Sequence, residues 1–163
     1  MRALYIGKFQ PFHKGHSKAV ELVKSFSKEL VICLGSPQNR EFFSLEERIE
    51  MIRKNTCLEP KVVDDLQESH QLYWDWGRYI LDLIGSVDLV VTGNESVKED
   101  FTKHNIPILL LPRYEGISGA DIRRKIANRD GTWKELVEGA SREIIMRSDF
   151  YNRYSGGNKP DGR

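Results

Sequence analysis

The sequence has few cysteines, no long apolar run and no excess of charge of one sign. Its two cysteines, Cys33 and Cys57, lack the spacing of metal ligands. No apolar run approaches the ~18 residues that a membrane-spanning helix needs, so no membrane partner is expected. The 25 Lys and Arg residues nearly balance the 24 Asp and Glu residues, and the net charge is +1. This balance excludes a strongly basic nucleic-acid binder but allows a local basic pocket for a small anion.

The N-terminal residues also lack the features of an export signal. The segment Met1–Gly7 is too short and too soon interrupted to be a signal peptide. We therefore expect a cytoplasmic protein whose two thiols stay reduced.

Short apolar runs alternate with segments of helical periodicity along the 163 residues. The runs, each typical of a buried strand, lie at 3–6, 30–34, 62–63, 89–91 and 108–111. Two segments between them carry apolar residues at helical spacing: Ala19, Val20, Val23 and Phe26, then Tyr73, Trp76, Ile80 and Leu83. This alternation predicts an α/β fold, namely a single doubly wound, Rossmann-like domain. We expect a central parallel sheet of about five strands with helices on both faces.

Further helices are predicted towards the C-terminus and behind the second strand. Residues 44–47 form a capping box, and apolar positions at 45, 49 and 52 follow it. Shorter helical stretches are centred on Phe101, on 122–126 and on 144–145. We assign residues 1–150 to the folded domain, with its C-terminal helix, and residues 151–163 to a polar, Gly-rich tail.

The segment between the first strand and the first helix, residues 7–16, concentrates groups that bind anions. Gly7 lets backbone approach a ligand, and Lys8 and Lys14 add positive charge. His13 and His16 share one face of a first helical turn, where backbone amides also favour an anion. Because ligands of doubly wound sheets bind at the carboxyl ends of the strands, this loop is predicted to bind phosphate.

Other interpretations of the histidine pair stay open at this point. Two histidines at this spacing are often polar surface residues or half of a metal site. A third ligand is not evident, since His70 and His104 lie in other predicted loops. Neither a Walker sequence nor a G-x-G-x-x-G fingerprint is present to explain the loop.

A second segment, residues 116–125, follows the fifth predicted strand. Ser118 is a candidate N-cap, and Asp121 is a favourable acid in the first turn of the helix behind it. Ser118, Gly119 and the neighbouring amides form another helix start that suits an anion. An ordinary capped helix with a solvated basic face explains the same residues. The position after strand five brings the segment to the sheet edge that carries the first loop.

Together the two segments resemble the HIGH-type nucleotidyltransferase superfamily. Residues 13–16 match its H-x-G-H signature, and residues 117–123 match its I-S-x-x-x-I-R signature. The pairing is more specific than either piece. The resemblance implies a doubly wound fold and transfer of a nucleotidyl group from ATP or CTP with release of pyrophosphate.

Over roughly the first 145 residues the chain is similar to the archaeal nicotinamide-mononucleotide (NMN) adenylyltransferase family. Residues 7–13 resemble its G-R-x-Q-P-F-H loop, with Lys8 in place of Arg, and 33–38 resemble C-x-G-S-x-Q. Residues 40–44 fall at R-x-P-F-T, with Phe42 in place of Pro and Ser44 in place of Thr, and Glu47 and Arg48 follow. Residues 92–94 match S-G-N. The stretch between Asp64 and Trp76 fits less well and carries extra residues.

The resemblance implies substrates and site residues. The substrates would be ATP, with Mg²⁺ bound to it, and NMN, and the protein would be a homo-oligomer. The groups acting on the phosphates would be His13, His16, Lys8, Arg40 and Arg123. The residues binding ATP would be Gly7, Phe9, Gln10, Gly93, Asn94, Ser118 and Gly119, with backbone at several of them lining the adenosine. The residues binding NMN would be Trp76, Gly35 and Ser36.

The resemblance leaves alternatives for the identity of the acceptor and for the residue that binds it. Trp76 aligns with the family tryptophan that stacks on nicotinamide, and Trp74 takes its place if the register shifts. The aromatic cluster also fits a helix that buries its aromatics. The alternative functions are a related nucleotidyltransferase with another acceptor (pantetheine phosphate, FMN or a polyol phosphate) and a non-catalytic nucleotide-binding module.

Overall fold

Five short strands form one parallel sheet in the computed structural model, which describes residues 1–36, 42–64, 75–150 and Arg153. The strands are β1 (Arg2–Gly7), β2 (Glu29–Ser36), β3 (Lys61–Asp64), β4 (Leu89–Thr92) and β5 (Ile108–Leu110). Their order across the sheet is β3-β2-β1-β4-β5, and every pairing is parallel. The predicted parallel sheet of about five strands is confirmed.

Helices connect the strands and follow the last one. They are α1 (Lys14–Phe26), α2 (Leu45–Thr56), α3 (Trp76–Ile84), α4 (Glu95–Thr102), α5 (Gly119–Ala127) and α6 (Gly139–Arg147). Short 3₁₀ segments at Tyr114–Gly116 and Gly131–Leu136 flank α5. The predicted capping box begins α2, because the Ser44 hydroxyl accepts from the Glu47 amide while the Glu47 carboxylate accepts from the Ser44 amide.

The two faces of the sheet are buried in two separate apolar clusters. Alternate residues of β1 point to opposite faces, so Ala3 and Tyr5 join one cluster while Leu4 and Ile6 join the other. The first cluster is completed by α1, α2, α5 and α6, and the second by α3 and α4. Helices therefore cover both faces, as the alternation of strands and helices predicts.

The strand order places a topological switch point between β1 and β4. From β1 the chain proceeds outward to β2 and β3, and it then crosses back to β4 on the other side of β1. The β1–α1 and β4–α4 loops consequently leave the sheet in opposite directions from two adjacent strands. A crevice at the carboxyl ends of such strands is the usual ligand site of doubly wound sheets.

Some predicted apolar faces are shifted by one position. Phe26 and Leu83 are exposed, and Ile84 is buried in place of Leu83. Because α3 begins at Trp76, Ile80 and Ile84 lie four residues apart on its inner face. Tyr73 lies outside the described residues. Within the described ranges, no helix is long and apolar enough to cross a bilayer.

Candidate active site

The start of α1 brings His13 and His16 into direct contact. His13 is the N-cap residue of α1, and its backbone N–H donates to Nδ1 of His16 over 3.1 Å. The two imidazole rings stack with their centroids 3.6 Å apart. Because Nδ1 of His16 accepts this bond, the neutral His16 ring carries its proton on Nε2. The predicted shared face is present, and it holds His16 with Nε2–H as a donor.

Gly15 makes this stacking possible. A Cβ atom at residue 15 would lie 3.0 Å from Cε1 and from Nδ1 of His13. A side chain there would therefore press the His13 ring away from its position over His16. The glycine of the H-x-G-H segment thus leaves the His13 ring room to stack on His16 without displacement.

Both histidines are held in the neutral state at neutral pH. Burial, together with the smaller effect of the nearby Arg123 guanidinium, lowers the pKa of His13 to about 4. Burial also holds the pKa of His16 well below its usual value, and the neighbouring His13 adds to this effect. The negative charge of a bound polyphosphate would raise the pKa of both imidazoles and favour their protonated forms.

The start of α5 reaches the same loop. Ser118 caps α5 by accepting from the Asp121 amide over 3.2 Å. One turn later, Arg123 Nη1 donates to the carbonyl oxygen of Gln10 over 2.5 Å. This bond joins residues 113 positions apart in the sequence. The two segments that the sequence predicted at one edge of the sheet do meet there.

Gly119 leaves the space that this bond needs. A Cβ atom at residue 119 would lie 2.9 Å from the Gln10 carbonyl oxygen and 3.0 Å from Nη1 of Arg123. The first of these is a backbone atom, which cannot rotate away. Any side chain at 119 would consequently separate α5 from the first loop.

Residues 42–43 form the third side of the arrangement. The Gln10 side-chain oxygen accepts from the Phe42 amide over 2.8 Å and from the Phe43 amide over 3.5 Å. The Arg123 guanidinium lies 4.3 Å from the centroid of the Phe42 ring, a cation–π contact. Phe42 occupies the position where the resembling family has proline, and its ring here supports Arg123. Gln10 is thereby placed as a connector of the three segments.

The other residues of the first loop separate into buried and exposed groups. The Phe9 ring is buried, meets the Tyr5 ring edge-on at 5.5 Å and stacks on Phe12 at 5.8 Å. The Phe9 side chain is therefore taken up by packing within the protein. Gly7 accommodates the Phe9 ring, since a Cβ at residue 7 would lie 2.9 Å from Cζ of Phe9. The Lys8 side chain is exposed.

Gly93 and Asn94 follow β4, the neighbour of β1 at the switch point. The Asn94 side chain caps α4 by accepting from the Ser96 amide over 2.9 Å. A Cβ at Gly93 would meet the Leu111 carbonyl oxygen at 3.8 Å, an ordinary contact. The protein itself leaves room for a side chain at residue 93.

The predicted acceptor residues lie at the ends of β2 and α3. Gly35 is buried near the end of β2, and Ser36 is its last residue. Trp76 is the first residue of α3, and its ring meets the Phe101 ring edge-on at 6.2 Å. It is partly buried against the second apolar cluster. Arg40 and Trp74 lie outside the described residues.

Arg48, for which the sequence motifs predict no role, is completely buried. Its Nη1 donates to the carbonyl oxygens of Gly35, over 2.9 Å, and of Lys8, over 3.3 Å. It thereby connects the ends of β1 and β2. Its burial could have been predicted from its spacing, because residue 48 lies on the apolar face of α2 between Leu45 and Ile52.

The described geometry gathers hydrogen-bond donors and positive charge at one edge of the sheet. The donors are two neutral imidazoles, a guanidinium and the amides of two helix starts, and Lys8 adds an exposed ammonium group. Such a set can orient a polyphosphate and stabilise charge that develops on it.

Comparison with known proteins identifies the family from the sequence. The cytidylyltransferase-like family model matches residues 4–125. The nicotinamide-nucleotide adenylyltransferase of Methanolobus tindarius is 32% identical over 98% of this chain and 96% of that protein. The protein of the same name from Methanococcus aeolicus is 32% identical over 94% of this chain and 92% of that protein.

Solved structures support the fold at lower identity. A bifunctional NMN adenylyltransferase/ADP-ribose pyrophosphatase from Francisella tularensis, in complex with AMP and a Mn ion, matches 96% of this chain with a TM-score of 0.63 and 20% identity. Thermotoga maritima TmcAL, bound to α-thio ATP, matches 98% with a TM-score of 0.64 and 14% identity. The chain spans about half of each, 52% and 57%.

The family model matches three quarters of the chain, and the two archaeal relatives match nearly all of it. The chain belongs to the cytidylyltransferase-like family of nucleotidyltransferases, among the archaeal relatives named nicotinamide-nucleotide adenylyltransferase.

Proposed function

We propose that this protein transfers the AMP group of ATP to NMN, giving NAD and pyrophosphate. The observation that carries the proposal is the bond between Arg123 and the Gln10 carbonyl, which joins the start of α5 to the histidine loop. It gathers the donors that a triphosphate needs into one site. The names of the archaeal relatives supply the acceptor.

The reaction requires no covalent intermediate on the protein. An oxygen of the NMN 5′-phosphate attacks the α-phosphorus of ATP in line and forms a new P–O bond. The bond between the α-phosphorus and the oxygen bridging to the β-phosphorus breaks, and its electron pair leaves with pyrophosphate. Since both reactants carry their own nucleophile and electrophile, catalysis comes from positioning and from charge stabilisation.

In this proposal the α1 and α5 starts hold the triphosphate between them. His16 donates through Nε2–H, and His13 lies stacked beside it. Arg123, supported by the Phe42 ring, neutralises charge that grows on the leaving pyrophosphate. Lys8 and Arg40 would act on the same phosphates, and the Ser118 and Gly119 amides would cap them.

Magnesium would enter as the complex with ATP. The described residues contain no group of three or more His, Cys, Asp or Glu side chains arranged to hold a metal ion. The donor groups found there suit phosphate oxygens, and Mg²⁺ commonly keeps its waters and binds through such oxygens. A divalent ion in the related Francisella structure supports this part of the proposal.

The base and the acceptor would bind on the two sides of β1. Adenosine would lie against backbone at Gly7, Phe9, Gly93 and Asn94, where the open space at residue 93 is available. NMN would lie near Gly35 and Ser36, with its ring on Trp76. The homo-oligomer and the cytoplasmic location stay predictions.

An acceptor screen tests the proposal directly. Purified protein with Mg²⁺ and ATP is given NMN, pantetheine phosphate, FMN or a polyol phosphate, and a parallel set receives CTP. We expect NAD and an equal amount of pyrophosphate from ATP and NMN. Adenylylation of another acceptor without NAD would refute the acceptor, whereas ATP binding with no pyrophosphate from any mixture would favour a non-catalytic module.

A further inference from the structure

The last described residues of the chain contact the segment that supports Arg123. Phe150 is buried, and its ring stacks on Phe43 with centroids 5.2 Å apart. Arg153 makes two bonds to the Glu47 carboxylate, from Nη1 over 2.7 Å and from Nη2 over 3.2 Å. We call Phe150 and Arg153 the C-terminal brace.

The brace also contacts Phe42, the residue whose ring packs against the Arg123 guanidinium. Arg153 Nη1 also donates to the Phe42 carbonyl oxygen over 3.4 Å. The Phe42 amide donates to Gln10, and the Phe42 ring lies under Arg123. Phe42 is thus held through its carbonyl by the C-terminus, through its amide by the first loop and through its ring by α5.

The ion pair between Arg153 of the brace and Glu47 fixes the orientation of both side chains. A two-point bond between a guanidinium and a carboxylate fixes the planes of both groups. Glu47 is at the same time the N3 residue of the capping box of α2. The side chains of Glu47 and Arg153 are 17% and 30% exposed, which shields the pair from much of the solvent. Movement of Arg153 would therefore displace groups at the start of α2 and at Phe42.

We infer that Arg153 is a positioning residue for the nucleotidyl transfer, acting through Phe42 on Arg123. The inference rests on the proposed function for its consequence in turnover. It assigns an active-site role to a residue within the segment that composition marked as a polar tail.

Two measurements test the inference. The first needs no substrate: amide hydrogen exchange of Phe42 and Phe43 is followed by NMR in the wild type, Arg153→Ala and Arg153→Lys. We expect exchange to accelerate about 3- to 10-fold in Arg153→Ala and less in Arg153→Lys, which keeps the charge but loses the two-point bond. Arg53→Ala is the matched control, because Arg53 makes a two-point bond to Glu59 at the far end of α2.

The second measurement is a double-mutant cycle in NAD formation. Arg153→Ala should lower kcat about 10-fold, and it should have no further effect in the Arg123→Ala background. Unchanged amide exchange at Phe42 and Phe43 in Arg153→Ala would overturn the inference. It would also be overturned if the kcat losses of Arg153→Ala and Arg123→Ala multiplied in the double variant. If Arg153→Ala fails to fold, Arg153→Lys decides by exchange. If the wild type makes no NAD, the proposed function fails, whereas amide exchange at Phe42 and Phe43 still shows whether Arg153 holds this segment in place.

Discussion

The stacked histidines at the start of α1 should make the stability of the fold depend on pH in a defined window. Burial and Arg123 lower the pKa of His13 from 6.5 to about 4. The unfolded chain therefore binds a proton that the folded protein excludes. The stabilisation is complete above pH 6.5 and is lost as the pH falls towards 4. The shift of His16 has the same direction and adds to the loss.

The size of the effect follows from linkage. With pKa values of 6.5 unfolded and about 4 folded, His13 alone reduces the free energy of unfolding by about 2 kcal/mol between pH 7 and pH 5. Carboxylates with lowered pKa values, such as Glu50 and Glu59, have ordinary values of 4.5, so their losses begin at lower pH. The window from pH 7 to pH 5 consequently isolates the histidines.

Urea denaturation at pH 7 and at pH 5 measures this difference. His13→Ala should lower the free energy of unfolding at pH 7 and flatten its dependence on pH, because the residue that excludes the proton is gone. Mg²⁺–ATP should also flatten it in the wild type, since bound phosphate favours protonated imidazole. An equal slope in the wild type and His13→Ala would refute the reasoning. Arg53→Ala, remote from the site, should keep the wild-type slope.

Three further predictions concern single residues of the site. His16→Ala removes both the acceptor for the His13 amide and the Nε2–H donor, so it should cost ~1 kcal/mol of stability and ~10²-fold in kcat. His16→Asn should recover the stability but not kcat, and recovery of both would contradict the donor role. Gly119→Ala should lower kcat at least tenfold, since its Cβ meets the Gln10 carbonyl at 2.9 Å, while Gly131→Ala, with no described atom within 4 Å, serves as the control in the same assay. Trp76→Ala should weaken NMN binding about 2- to 30-fold by calorimetry and leave ATP binding unchanged, whereas a large fall in melting temperature with unchanged NMN affinity would assign Trp76 to the core.

Much of the fold is predictable because the local spacing of apolar residues identifies most of its strands and helices. Each buried parallel strand is a short apolar run, and helices of a doubly wound sheet must cover both faces. The exposure of Phe26 and Leu83 was not predictable in this way. At the outer margins of a helix face a one-residue difference in helix start decides which apolar residue meets the sheet, as with Ile84 in place of Leu83.

The two loops proposed to bind phosphate were recognisable from their signatures, but the contacts that connect them were not. Gly15 and Gly119 are parts of recognised motifs, and the structure supplies the steric reason for each. The contacts of Gln10, Phe42 and Arg48 depend on tertiary packing between segments distant in sequence. Arg153 lies in a segment whose composition suggests a solvated tail, and composition carries no information about its bond to Glu47.

The bond between Arg123 and the Gln10 carbonyl also bears on the order of folding. It closes a loop of 113 residues, and the Arg153 bonds to Glu47 and Phe42 close loops of 106 and 111. The central strands β1 and β2 pair residues only 27 apart, as at Arg2 and Glu29. Distant contacts carry a larger entropic cost of closure than near ones. The sheet can thus begin to form before α5 is available, whereas the contact between the histidine loop and α5 is made only after residue 123 has been synthesised and α5 has docked.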